Sequence, residues 1–138
     1  MPKLPILPIL PIAPILALTA IAALTYCSSP TPEQQAALAA QGYYTHLATG
    51  DYTHFLEGKV GADSLPDDYR EQLLTSCQQF MAQQQRAHGG ISEVRVSNAR
   101  RDTLTDYVTV LLMLCYGDST QEEIVVPMVD RNGRWQMR

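Results

Sequence analysis

No run of basic residues in this chain exceeds the pair Arg100-Arg101, and only three cysteines and three histidines are present. The first scarcity removes the positive stripe that tracks a phosphate backbone, so nucleic acid is disfavoured as a partner. The second leaves no CxxC or HxxxH spacing of the kind that builds a structural metal site, and neither a metal nor a cofactor is expected. Charge is missing altogether from residues 4–32, which divides the chain in two. Residues 33–138 hold all 14 acidic residues and 9 of the 10 basic ones. That mildly acidic portion is long enough to bury a small core unaided.

The uncharged portion opens on "LPILPILPIAPIL" (4–16), with proline at every third position, and continues as the proline-free apolar block "ILALTAIAAL" (15–24). Lys3 supplies a thin positive region ahead of it, the order expected of a secretory signal. The segment closes on "LTYC" (24–27), which resembles a bacterial lipobox: leucine three residues before the cysteine that becomes the lipidated first residue of the mature protein. Tyr26 departs from the small residue usual before that cysteine. The competing reading is a permanent membrane anchor, since residues 4–26 are 23 uncharged positions and long enough to span a bilayer. Pro5, Pro8, Pro11 and Pro14 argue against it. Each interior proline costs a helix about 3 kcal/mol, and the freed carbonyls find no water in hydrocarbon. The expected organisation is a signal over 1–26, lipidated Cys27 with a linker to residue 32, and a folded domain over 33–138.

Within that domain, "PEQQAALAAQGYYTHLATG" places Ala36, Ala40, Tyr43, Tyr44 and Leu47 at helical spacing, with Gly50 as a stop. Asp51 is placed to cap a second, short helix, "DYTHFLEGKV". A third helix is expected through residue 88, with Ser64 as its N-cap, Pro66 in its first turn, and an apolar stripe of Tyr69, Leu73, Cys77 and Phe80. From Ile91 the apolar period becomes two, in "ISEVRVSNA", "DYVTVLLMLCYGD", "EEIVVPMVD" and "RWQM". Asn132-Gly133 is the strongest two-residue hairpin signal available. The expected class is α+β: about three helices on one face of an antiparallel sheet of about four strands.

The "YYTHLATGDY" turn (43–52), the "GISEVRV" strand, the "YGDSTQEEIVVPMV" hairpin and the terminal "NGRWQM" resemble small bacterial lipoproteins built on the nuclear transport factor two-like (cystatin-like) fold. The resemblance implies a curved, cone-shaped sheet around a helical layer, a pocket between them, and an envelope protein facing the periplasm through a lipid anchor. It implies no particular activity.

Candidate chemistry is thin. His46 and His54 recur in "YTHL" and "YTHF", eight residues apart with Asp51 between them, and surface or capping roles are the simpler expectation. Some enzymes on this fold use Asp, His and Tyr for proton abstraction, which makes His46, Asp51, His54, Tyr43 and Tyr44 the candidates for a dehydratase- or isomerase-like site. Neither phase of the residue 107–115 strand carries an acid or base beyond Cys and Tyr. The main expectation is therefore a non-catalytic module for a protein or a small apolar ligand. Cys77 and Cys115 are either a disulfide permitted by an oxidising periplasm or two small buried hydrophobes. Residues 110–115, "VLLMLC", are apolar on both phases, which leaves two explanations: a partly covered outer face, or an interface, either a homodimer through the sheet or a surface for another partner.

Overall fold

In the computed structural model, which describes Pro2, Lys3, Pro5 and residues 28–138, the chain enters its first helix through a reciprocal cap. The Thr31 hydroxyl accepts from the Gln34 N–H, and the Gln34 side chain accepts from the Thr31 N–H. Two of the helix's orphan donors are thereby handled at once, with Pro32 in the position where a missing N–H costs nothing. Apart from Pro2, Lys3 and Pro5, the segment read as a signal lies outside the described residues, as does Cys27. Among those described, no helix is long and apolar enough to cross a membrane.

Helix α1 (Pro32–Ala48) turns at Gly50, whose φ of +86° suits glycine. Asp51 then caps α2 (Tyr52–Glu57) through the His54 N–H. After a 3-10 turn over Ala62–Ser64 comes α3 (Asp67–His88). Ser64 does not cap α3 as its position suggests; the N-cap is Pro66, without a side-chain bond. The residue before a proline is pushed toward extended backbone, and Leu65 obeys at ψ 133°, so Ser64 is separated from the helix. Asp67 and Asp68 in the first turn complement the positive end instead.

Four strands follow as an antiparallel meander in sequence order: β1 (Ile91–Arg101), β2 (Val108–Tyr116), β3 (Gln121–Arg131) and β4 (Arg134–Met137). Asn132 and Gly133, at φ 56° and 83°, make the tight turn between β3 and β4, as an Asn-Gly pair favours. The expected α+β class is the observed one: among the described residues, three helices lie on a four-stranded sheet. Ala36 and Ala40, fully buried, let α1 approach the sheet closely, against Val108, Val110, Leu112, Val126 and Met128. Leu73, Leu74, Cys77 and Met81 join that core from α3, whereas Tyr69 and Phe80 remain exposed.

The end of α2 is locked to β4. Gly58 accepts from the Met137 N–H at 2.7 Å, and the Tyr43 hydroxyl donates to the Trp135 carbonyl at 2.7 Å. A Cβ on Gly58 would collide with the Tyr43 ring, which that hydrogen bond holds in place. Gly58→Ala should therefore lower stability by about 1–3 kcal/mol, as overpacking does; a denaturant midpoint equal to wild type would contradict this packing.

Candidate functional site

In a cone-shaped fold the first place to look for a site is the space between sheet and helices. That space is occupied by side chains. Leu56, Val108, Val110, Leu112 and Met128 fill it, and among the described residues no polar or charged side chain is buried. The clefts that the described residues do form lie on the surface. A wide one of about 850 Å³ runs past Glu57, Asp63, Arg70, Arg131 and Arg134. A smaller groove of about 250 Å³ lies over Asn98, Arg100, Thr109 and Leu111.

The structure divides the candidate residues into two groups. His46, Asp51 and His54 come together at the α1–α2 corner: Asp51 Oδ2 lies 2.6 Å from His54 Nδ1 and 3.4 Å from His46 Nδ1. The imidazoles stack with centroids 5.0 Å apart. The hydrogen bond from the His54 side chain first, with its backbone N–H and the electrostatic pull of both imidazoles adding to it, holds the Asp51 carboxyl below the usual carboxylate range. The tyrosines do not join them. Tyr43 is committed to Trp135, and Tyr44 packs edge-on against Phe55, where burial raises its phenol. Sequence spacing gave the two histidines little weight because they sit on different helices. Their meeting depends on the angle of the Gly50 corner, for which the sequence carries no periodic signal.

His88 makes a second cluster, joining the end of α3 to the β2–β3 turn. Its Nδ1 lies 2.8 Å from Asp118 Oδ2, its ring stacks on Tyr116, and the Gly117 N–H donates to the Gly90 carbonyl at 2.9 Å. Thr120 Oγ1 also lies 3.4 Å from Nδ1. A catalytic relay needs the acid on one imidazole nitrogen and the nucleophile on the other; here both share Nδ1, so the cluster is a clip. Hydrogen bonds from Thr120 first, then His88, push the Asp118 carboxyl down to about 2. A depressed carboxylate makes the unfolded chain bind more protons, so the clip's contribution is full above about pH 4 and is lost as pH falls toward 2. The stability gap between wild type and Asp118→Asn should be present at about pH 5 and close by about pH 2. A gap independent of pH would contradict it.

Cys77 and Cys115 are both free thiols. Cys77 faces the core from α3, whereas Cys115 is on the outward phase of β2, where Arg95 donates to its Sγ at 3.2 Å. Burial raises the Cys77 thiol, the direction opposite to that of a nucleophile.

That outward phase bears on the apolar run of β2. Pairing sets Leu111 beside Val125 and Met113 between Arg95 and Glu123. Arginines shield the two ends of the strip: Arg95 beside Cys115, and Arg138 stacked 4.7 Å over the Tyr107 ring. Its centre is left open, with Leu111 and Met113 half-buried and Val125 63% exposed. The covered-face explanation therefore holds at the two ends of the run, and its centre remains a partly open apolar strip.

Compared with known protein families and with curated proteins, the sequence has no match. Among solved structures, the chain is similar to a protein from Campylobacter jejuni named as an NTF2-like transpeptidase, with a TM-score of 0.57 and 11% identity. The match covers 71% of this chain and 92% of that one. Identity so low speaks for architecture and not for activity. The chain has the NTF2-like α+β fold.

Proposed function

We propose that the protein is a bacterial envelope lipoprotein, anchored through Cys27, whose domain is a non-catalytic interaction module that pairs with a second copy through the outer face of its sheet. The observation that carries this reading is a contrast between the two faces of β2. The inner face, where this fold can hold a small ligand, is filled by Leu112, Val110 and Met128, while Leu111, Met113 and Val125 stay open on the other. The charges flanking the strip support a self-complementary surface. A two-fold axis along β2 sets Arg95 of one copy over Glu123 of the other, the isologous arrangement of most homodimers. Native mass spectrometry of the detergent-solubilised full chain tests it. The expected species is a dimer without a co-purified small molecule; a monomer carrying a ligand would contradict it.

The second reading is an enzyme of the dehydratase or isomerase kind, or of the acyl-transfer kind suggested by the name of the Campylobacter protein. It would draw on His46, Asp51 and His54, the acid–base groups that meet in space. These side chains are 45%, 39% and 60% exposed, without the shielded pocket such chemistry uses to tune its groups.

A further inference from the structure

The "YTH" repeat (44–46 and 52–54) finds no use in a sheet-face interaction, and helix electrostatics account for only half of it. His46, in the last turn of α1, gains from the negative helix end. α2 is only six residues long, so its dipole does little for His54, whose ring is turned back onto the N-cap Asp51. We propose that His46, Asp51 and His54 form a binding site for a divalent transition-metal ion of the Zn2+ class.

The donor set and its geometry carry the proposal. One ligand atom from each of the three residues lies within 4.8 Å of the other two. Zinc bonded at about 2.0–2.1 Å with tetrahedral angles brings its ligand atoms to about 3.3 Å from one another. Two of the contacts, at 3.4 and 2.6 Å, already lie close to or inside that spacing, so rotation of exposed imidazoles adjusts the remainder. The backbone holds the three in place. The Asp51 N–H donates to the His46 carbonyl at 2.8 Å across the Gly50 corner, and Asp51 Oδ1 caps α2 through the His54 N–H. That division of labour leaves Oδ2 for the metal, which takes the place of the proton shared between His54 Nδ1 and Oδ2. Two imidazoles and one carboxylate suit zinc and its neighbours, whereas Mg2+ and Ca2+ prefer all-oxygen shells. Three protein ligands leave a coordination position for water or for a donor from a partner.

The test is calorimetric titration of Zn2+ into the chelator-stripped full chain in detergent, beside three conservative variants. Asn caps a helix as well as Asp does, so Asp51→Asn removes the ligand charge and keeps α2. His46→Gln and His54→Gln alter exposed side chains. One equivalent is expected to bind to the wild type, with affinity falling at least about tenfold in each variant, given that even groups behind the ligands are worth 10–100-fold. His88→Gln should bind as the wild type does. Unchanged affinity in His46→Gln and His54→Gln, or an equal loss in His88→Gln, would overturn the site, as would no one-to-one binding to the wild type.

Discussion

Leu112→Ala should cost about 2–5 kcal/mol of stability, while Leu111→Ala, one residue earlier on the same strand, should cost about 1 kcal/mol or less. Leu112 is fully buried against α1, at the centre of the filled interior. Truncating it leaves a cavity that rigid neighbours on both layers cannot collapse. Leu111 points the other way and is half-buried beside exposed Val125. A domain of this size unfolds with a total of about 5–15 kcal/mol, so the inner substitution removes a large share. Thermal and denaturant unfolding of both variants checks the pair, and equal losses would mean that the strand phase is misassigned.

The outer face should respond to charge. Val125→Glu is expected to leave the fold within about 0.5 kcal/mol of wild type, because the side chain is already 63% exposed. The same change buries an uncompensated carboxylate beside Glu123 when two sheets meet. Such a charge costs an interface about 2–5 kcal/mol, or roughly 30-fold or more in dissociation constant. Sedimentation or light scattering should therefore find a dimer for wild type and a monomer for Val125→Glu. A variant that dimerises as wild type does would move the interaction surface elsewhere.

Much of this architecture can be read from local rules. Small alanines at helical spacing mark the inward face of α1, Gly50 and Asp51 mark a stop and a start, and Asn132-Gly133 marks the hairpin. Each is decided within a few residues, where propensity and capping act. Features set by distant parts of the chain were harder to foresee. The two register shifts of β1, at Ile91/Glu93 and Val96/Asn98, come from pairing with β2. Val96 keeps the inward phase opposite Leu112, yet on this edge strand it stays 38% exposed. Tyr69 and Phe80 read as part of the α3 stripe, yet the core takes only Leu73, Leu74, Cys77 and Met81 from that helix. A hollow and a filled cone share one apolar pattern, so the closed interior could not be told from the sequence. The candidate metal ligands were partly legible: the residues are conspicuous, but their convergence belongs to the α1–α2 corner.

The proposed envelope location rests on one atom, the sulfur of Cys27. Intact mass spectrometry of the protein from the membrane fraction tests that most directly. The expected mass is that of a chain beginning at Cys27 and carrying acyl groups, and Cys27→Ser should release the domain from the membrane. A membrane-fraction chain that still begins at Met1 and bears no acyl group would contradict the account.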